Sequence, residues 1–371
     1  MTGKSLDRQE AFTGTRAPSP GLEIDPIRLA GYLERQFEGF SGPLSIRQFN
    51  GGQSNPTYQV LAKSGDYVLR RKPPGKLLPS AHAIEREFRV MRALAGANFP
   101  VPKVHCLCED PSVIGTAFYI MDCVKGRVVW VPAMPDADRA ERTAVYDAMT
   151  TSLAGLHTLD PTALGLADFG RGKNYVARQI DRWSEQYRAS RTAEIGEMDR
   201  LMEWLPANVP PQNCVAIVHG DFRLDNIILA PGHATIRAII DWELSTLGDP
   251  IADFTYFLMQ WKMPPAGSSA GIGSIVDIDL DALGIPTMED VIADYEAQTG
   301  FNVRPALDFY LAYNFFRIAA ILQGILARVR EGTATNPLAP AMAAQIKPIA
   351  EVAWSIAKNG VDPLRNHRSG N

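Results

Sequence analysis

The chain has 371 residues, 46% of them hydrophobic, and its 37 basic and 41 acidic residues give a formal net charge of −4. This length can bury a core large enough for two lobes, and the lack of a basic excess argues against nucleic-acid binding. No uncharged stretch reaches membrane-spanning length and residues 1–24 lack the apolar core of a signal peptide, so we expect a cytoplasmic protein outside the membrane.

The first part of the chain predicts a small antiparallel sheet with two helices. Residues 1–24 mix charges with Pro, Gly and Thr and predict a mobile tail. Asp25-Pro26 predicts the start of a helix that runs to about Phe40, because Asp caps helices and Pro suits their first turn. The runs that follow predict, in order, strands Leu44–Phe49, Thr57–Ala62 and Tyr67–Lys72, a helix over Ser80–Ala95, and strands Val104–Cys108 and Ala117–Met121.

The second part is predicted to be mainly helical. From about Asp136 onward helical patterns dominate, interrupted by a strand at Ile236–Asp241 and by an uncharged Pro/Gly/Ser-rich loop between Met263 and Val276. The four cysteines are too few for a disulfide framework. The run His105-Cys106-x-Cys108 has no second ligand pair at a zinc-finger spacing, which favours buried strand thiols over a zinc site.

A motif of the form H-x-D-x-x-x-x-N carries the chemistry. It runs from His219 to Asn226, and Asp241-Trp242-Glu243 follows at the end of an apolar strand. In phosphoryl transfer this spacing supplies an Asp that takes or orients the acceptor proton and an Asn that holds a metal ion. We therefore predict Asp221 as the catalytic base and Asn226 and Asp241 as ligands of Mg²⁺, which prefers oxygen donors. Glu243 either joins the metal shell or orients it.

Other polar residues near this motif are assigned structural roles. His219, Arg223 and Asp225 are expected to stabilise the loop. Asp249 precedes a Pro and is explained as a helix N-cap, and Asp253, one turn later, is expected to be structural.

A glycine-containing loop and a strand cation predict the nucleotide site. The loop lies between two strands, where glycines let backbone N–H groups approach phosphate oxygens; its predicted nucleotide-binding residues are Gly51, Gly52, Gln53, Ser54 and Asn55. Strand alternation gives Arg70 the place of the cation that contacts phosphate in kinases, with Arg71 and Lys72 as rivals.

The helix after this strand offers Arg70 an acidic partner. Ile84, Phe88, Met91 and Ala95 form a predicted core stripe at helical spacing. Glu87 flanks that stripe and is the predicted partner of Arg70, although a pair with a neighbouring Arg on the same helix stays open.

Two longer segments resemble a known superfamily. They read V-H-G-D-F-R-L-D-N-I-I-L and A-I-I-D-W-E-L-S-T-L-G-D-P-I-A-D-F, and they are similar to the aminoglycoside phosphotransferase and choline kinase-like proteins. The resemblance covers about Leu44 to Arg330. The segments G-G-Q-S-N-P-T-Y, Y-V-L-R-R-K-P-P-G-K-L-L-P-S-A-H and F-F-R-I-A-A-I-L-Q-G-I look like a narrower group, which contains the kinase-like domains of acyl-CoA dehydrogenase family members 10 and 11.

The resemblance implies an α+β, two-lobed, protein-kinase-like fold with ATP in the cleft. The expected boundaries are an antiparallel-sheet N-lobe over residues 25–124 and a mainly helical C-lobe over residues 125–371. It also implies that the hinge facing adenine lies near Met121, Asp122 and Cys123, and that Asp221 is the base. Members of the narrower group have been linked to phosphorylation of hydroxyacyl-CoA intermediates.

The acceptor is less well defined by the sequence. Kinases of polycationic aminoglycosides need carboxylates around the acceptor pocket, whereas the chain from Thr255 onward has 11 acidic and 9 basic residues. Arg317 is expected either on the cleft wall, where it would favour an anionic substrate, or extending from an apolar helix. We expect a kinase for a small hydroxylated metabolite, plausibly an acyl-CoA. The alternatives are an aminoglycoside or amino-alcohol kinase and a nucleotide-binding pseudokinase; the sequence leaves the oligomeric state open.

Overall fold

The computed structural model describes residues 13–50, 55–73, 83–265, 273–331 and 339–361. Its N-terminal part is a six-stranded antiparallel sheet with the strand order β1-β2-β3-β4-β6-β5. The strands are β1 (Thr15–Arg16), β2 (Leu44–Phe49), β3 (Thr57–Ala62), β4 (Gly65–Arg71), β5 (Val104–Cys108) and β6 (Phe118–Asp122). Alternate residues such as Tyr58 and Val60 are buried, so one sheet face packs against helix α1 (Pro26–Gln36).

The start of the chain differs from the prediction. The Asp25 side chain accepts hydrogen bonds from Ile27 N and Arg28 N, as expected of an N-cap. Helix α1 ends at Gln36 rather than near Phe40, because the backbone becomes extended after Gln36 and Gly39 has a φ of +84°. Within the predicted mobile tail, Thr15 and Arg16 form β1, which pairs with β2; residues 1–12 lie outside the described part, and the mobility of the tail stays a prediction.

Helix α2 (Ile84–Gly96) buries a face that matches the predicted stripe at Ile84 and Met91 and differs from it elsewhere. Its predicted first residues, 80–82, lie outside the described part. The buried positions are Ile84, Glu87, Val90, Met91 and Leu94, whereas Phe88 and Ala95 are half-buried. The buried face of the helix is therefore shifted by about one residue from the predicted stripe. Glu87 lies within the buried face rather than beside it.

Two arginines on α2 connect it to the C-terminal part of the chain. The Arg86 guanidinium donates to Phe169 O at 2.6 Å and lies over the Phe169 ring, with its Cζ 4.2 Å from the ring centroid. Arg89 forms an ion pair with Asp168. Helix α2 is thus packed against the sheet on one side and tied to the second lobe on the other.

The two cysteines on strand β5 are buried, as expected from the sequence. Cys106 and Cys108 are buried on β5, and burial raises the pKa of the Cys106 thiol to about 12. The His105 ring contacts Asp122 Oδ1 at 2.6 Å. Within the described residues, no group of three or more His, Cys, Asp or Glu side chains is arranged to hold a metal ion.

The C-terminal part is mainly helical, as predicted. Its helices are α3 (Arg139–Thr158), α4 (Tyr175–Ser190), α5 (Gly196–Ala207), α6 (Pro250–Leu258), α7 (Leu280–Leu283), α8 (Met288–Thr299), α9 (Leu307–Arg330), α10 (Ala339–Ala344) and α11 (Ile346–Asn359). Helix α9 is central and mostly buried, packing against α4, α6 and α11. Residues 304–330 are long and apolar enough to cross a membrane by length and composition alone. A buried core helix meets the same two criteria.

Two small sheets carry the loops of the predicted site. One has the order β10-β9-β7 and the other pairs β11 with β8. Their strands are β7 (Arg127–Val128), β8 (Ala216–Val218), β9 (Ile227–Leu229), β10 (Ile236–Ile239) and β11 (Thr246–Gly248). Strand β10 ends at Ile239, before the predicted end at Asp241. Of the predicted loop between Met263 and Val276, residues 266–272 lie outside the described part.

Candidate active site

The loop from His219 to Asn226 begins directly after β8 and is held by a buried carboxylate. Asp253 on α6 accepts hydrogen bonds from His219 N at 2.6 Å, Gly220 N at 2.8 Å and His157 Nε2 at 3.1 Å. Burial alone would raise the pKa of Asp253, but the hydrogen bond and charge of His157, with the backbone donors, hold it below its usual value. Asp253 therefore fixes the peptide before Asp221, in keeping with its predicted structural role.

Gly220 is required by the shape of this loop. Its φ is +84°, a region that L side chains rarely adopt. A Cβ at this position would lie 2.9 Å from Leu244 O. The loop can therefore approach the segment after Asp241 only because residue 220 has no side chain.

Asp221, the predicted base, is held at both carboxylate oxygens. The Tyr256 hydroxyl donates to Oδ1 at 2.5 Å. Asn226 Nδ2 donates to Oδ2 at 3.1 Å and to Asp221 O at 2.9 Å. Arg223 Nε lies 3.1 Å from Oδ1, and the Arg223 guanidinium also pairs with Asp225 at 3.3 Å. The carboxylate is thus oriented by three side chains, two of them from its own loop.

Asn226 and Asp241 are neighbours through the backbone. Ile240 N donates to Asn226 O at 2.9 Å, which brings the residue before Asp241 against the loop that carries Asp221. The Asn226 amide nitrogen points to Asp221, so its oxygen is the atom left to face a cation. Asp241 has a φ of +67° and a ψ of +58°, a left-handed conformation that is strained for a residue other than glycine. One amide oxygen and one carboxylate form an all-oxygen donor set, which fits Mg²⁺.

Arg70 lies at the centre of a buried ionic cluster. Its Nε is 2.9 Å from Glu87 Oε2, an ion pair without hydrogen-bond alignment. Its guanidinium also contacts Asp241 Oδ1 at 2.8 Å and Glu243 Oε2 at 3.3 Å. The predicted pairing of Glu87 with Arg70 is therefore present, and Arg70 links the sheet to the predicted metal ligand.

Arg71 and Lys72, the other two candidates for the phosphate contact, have other partners. Lys72 pairs with Glu85 at 2.9 Å, and the Arg71 guanidinium lies over the Tyr58 ring, 5.4 Å from its centroid. Among the three cations considered for the phosphate contact, Arg70 is the one that reaches Asp241.

Glu87 is almost fully buried, with 1% of its surface exposed, and it receives two neutral donors as well as Arg70. Asn55 Nδ2 donates to Oε1 at 3.1 Å, and the Tyr119 hydroxyl donates to Oε2 at 3.0 Å. Burial raises the pKa of Glu87 to about 7, against the opposing effects of Arg70 and both hydrogen bonds. Sequence reasoning missed Tyr119, whose role depends on the pairing of β6 with β4.

The remaining predicted nucleotide contacts are only partly described. Gly51, Gly52, Gln53 and Ser54 lie outside the described residues, and the Asn55 side chain is buried against Glu87. At the predicted hinge, Met121 is buried on β6, Asp122 bonds His105, and Cys123 N donates to Asp66 O at 3.2 Å. Their contact with a nucleotide stays a prediction.

A groove is lined by Phe222, which follows Asp221 in the chain, and by Tyr256, whose hydroxyl donates to Asp221 Oδ1. Its free volume, including the part open to solvent, is about 430 Å³. Most of the wall is apolar or aromatic, and one carboxylate, Asp225, lies among the described lining residues. The described lining consists of Val129, Trp130, Pro132, Phe222, Arg223, Leu224, Asp225, Tyr256, Phe257, Met259, Gln260 and Gly273.

Arg317 does not line this groove, and the expectation that it lies on the cleft wall is wrong. The side chain is buried, with 5% of the residue exposed, and its guanidinium donates to Gly220 O at 2.6 Å. It contacts the catalytic loop from behind. The residue of helix α6 that reaches Asp221 is Tyr256, which sequence reasoning missed. No local signal separated its hydroxyl from that of Thr255 on the same helix.

Removing Arg70 is expected to destabilise the fold. In Arg70→Ala, Glu87 would remain buried without its cation, so the free energy of unfolding should fall by roughly 3–5 kcal/mol. The matched control is Lys72→Ala, which removes the half-buried ion pair with Glu85 just after the same strand and should cost less than about 1 kcal/mol. Urea denaturation of both variants measures this difference. Equal losses would show that the Arg70–Glu87 pair does not stabilise the protein.

The residues that form this site fall within a match to a family model. Residues 45–281 match the model of the APH phosphotransferase enzyme family. The chain is 44% identical over 330 residues to acyl-CoA dehydrogenase family member 10 of Mus musculus, covering 88% of this chain and 31% of that protein. The chain therefore spans about a third of the length of this relative.

Solved structures share the fold. A crystal structure of a proposed aminoglycoside phosphotransferase from Ralstonia eutropha JMP134 is 46% identical, with a TM-score of 0.82 over 92% of this chain and 100% of that chain. A thermostable mutant of aminoglycoside phosphotransferase APH(4)-Ia, solved with ADP and hygromycin B, is 15% identical, with a TM-score of 0.57 over 89% of this chain and 98% of that chain. The predicted two-lobed, kinase-like α+β fold is confirmed.

Proposed function

The chain belongs to the APH phosphotransferase enzyme family, and on that premise we propose that it transfers the γ-phosphate of ATP to a hydroxyl group of a small molecule. The observation that carries the proposal is the adjacency of Asp221, Asn226 and Asp241, with Arg70 reaching Asp241 from the sheet. ADP bound to APH(4)-Ia supports an adenine nucleotide as the donor.

The roles of the residues follow from their contacts. Asp221 would accept the acceptor hydroxyl proton or hold that hydroxyl for attack. Asn226 and Asp241 would hold Mg²⁺, which when bound neutralises charge on the phosphate oxygens. Arg70 would contact the phosphates, and Glu87 would hold its guanidinium in place. Each role uses an oxygen or cation already oriented by neighbouring residues.

We propose that the acceptor carries an acyl chain, with a hydroxyacyl-CoA as the favoured class. The apolar wall of the groove, which includes Trp130, Phe257 and Met259, suits a hydrocarbon chain with its hydroxyl beside Asp221. Asp225, the carboxylate of the described lining, pairs with Arg223, so the groove offers little to a polycation. The relative named as an acyl-CoA dehydrogenase supports the same class.

Purified protein should transfer labelled phosphate from Mg²⁺-ATP to a hydroxyacyl-CoA. An acyl-CoA of the same chain length that lacks the hydroxyl should not be phosphorylated. The same assay with the free hydroxy acid separates recognition of the acyl chain from recognition of CoA. Aminoglycosides and amino-alcohols form the comparison set and are expected to react poorly. Efficient phosphorylation of an aminoglycoside, with none of any hydroxyacyl compound, would contradict the proposed acceptor. Absence of transfer to every acceptor would contradict the proposed enzyme.

A further inference from the structure

Tyr256 makes an unusually close contact with the predicted base. It lies on α6, and its hydroxyl donates to Asp221 Oδ1 at 2.5 Å. The residue is 5% exposed and its side chain forms part of the groove wall. Burial and the nearby Asp221 carboxylate raise the pKa of the phenol well above its usual value, so the hydroxyl remains a proton donor.

Helix α9 supports both Tyr256 and the peptide before the base. The Arg317 guanidinium lies over the Tyr256 ring, with its Cζ 5.2 Å from the centroid, and donates to Gly220 O at 2.6 Å. One turn earlier, Asn314 Nδ2 donates to Ala252 O at 2.9 Å and to Thr255 Oγ1 at 3.0 Å. The ring and the loop are thus fixed relative to each other by one buried helix.

These contacts determine how the carboxylate can turn. Tyr256 holds Oδ1 and Asn226 holds Oδ2, so rotation of the Asp221 side chain would break a hydrogen bond to one or both. Arg223 lies near both oxygens, with its Nε 3.1 Å from Oδ1 and its Nη2 donating to Oδ2 at 3.5 Å, so without the phenol this cation would dominate the direction of the carboxylate. The other charged group in the loop, Asp225, is already paired with Arg223.

We propose that Tyr256 is a positioning residue for phosphoryl transfer, holding the Asp221 carboxylate in the direction from which it meets the acceptor hydroxyl. The proposal rests on the proposed function, in which Asp221 is the base. Because the phenol acts through Asp221, its loss should slow the chemical step and leave nucleotide binding intact.

The direct test is Tyr256→Phe, which keeps the ring that Arg317 covers and removes one oxygen. With a saturating acceptor, kcat should fall roughly 10- to 100-fold, the size expected for loss of a hydrogen bond to a charged group. KM for ATP should be unchanged. In the Asp221→Asn background the same substitution should change kcat less than about twofold, because the two residues act as one unit.

Tyr310→Phe is the matched control. The Tyr310 hydroxyl donates to Asp249 Oδ2, also at 2.5 Å, and Asp249 caps the same helix that carries Tyr256. This variant loses an equally short Tyr–Asp hydrogen bond away from the base, so its stability should fall while kcat stays at the parent value. Equal losses of kcat in the two variants would overturn the positioning role.

A readout that does not need an acceptor separates this proposal from the proposed function. In a crystal structure of ligand-free Tyr256→Phe, the Asp221 carboxylate should be turned toward Arg223 or take two conformations, whereas the parent should show one. An unchanged carboxylate in the variant would overturn the positioning role, whatever the substrate proves to be. If the carboxylate moves but the parent transfers no phosphate, the positioning role stands and the proposed function fails.

Discussion

Asp221→Asn is expected to lower the rate of phosphoryl transfer by about 10²–10⁴-fold, the usual contribution of a general base. The amide keeps the shape of the side chain but cannot take a proton. Because Asp221 has no predicted role in binding ATP, nucleotide affinity measured by calorimetry should be retained. Single-turnover transfer of labelled phosphate, measured by rapid quench, reports the chemical step itself.

Asp225→Asn provides a control within the same loop. It removes the carboxylate that pairs with Arg223 at 3.3 Å, four positions after Asp221 in the chain. We expect a rate loss below about tenfold, from looser packing of the loop. If Asp221→Asn were no slower than Asp225→Asn, Asp221 would not be the base.

Replacing Asp241 should abolish turnover and the Mg²⁺ dependence of nucleotide binding, and two replacements should differ in stability. Both Asp241→Ala and Asp241→Gly lose the carboxylate. Only glycine accepts the φ of +67° without strain, so Asp241→Gly should be more stable than Asp241→Ala by roughly 1 kcal/mol. The residual pairing of Arg70 with Glu87 limits the stability loss in both variants.

Calorimetric titration of nucleotide with and without Mg²⁺ tests the role of Asp241 in metal binding. Urea denaturation tests the difference in stability between the two variants. Mg²⁺-dependent binding that survives in either variant would remove Asp241 from the metal site. A glycine variant less stable than the alanine variant would show that the left-handed conformation is not retained in solution.

Local sequence patterns predicted five of the six strands of the N-terminal sheet and missed β1. β2, β3 and β5 have the predicted bounds, because Gly, Pro or polar residues flank each apolar run. Helix ends were less accurate: the pattern continued to Phe40, while the backbone leaves the helix after Gln36. Residues that depend only on their immediate neighbours were therefore the most predictable.

The proposed catalytic residues Asp221 and Asn226 were chosen from a local spacing, whereas the residues that hold them in place come from distant parts of the chain and were not predicted. Asp221 and Asn226 lie within one loop, but Tyr256 reaches Asp221 across 35 positions of the chain and Arg317 reaches Gly220 across 97. The sequence left Arg317 either on the cleft wall or extending from an apolar helix, because helix periodicity does not reveal which neighbour covers a given face. Glu87 was assigned to the edge of its stripe for the same reason.

The attachment of α2 to the second lobe has a consequence for control of the enzyme. In protein kinases, the position of the corresponding helix decides whether the Lys–Glu pair forms, and modification of the protein can set that position. Here Arg86 donates to Phe169 O and holds α2 against the second lobe, and the Arg70–Glu87 pair is formed. We expect α2 to keep this position without modification of the protein. The rate of phosphoryl transfer should then depend on the concentrations of the acceptor and of the enzyme.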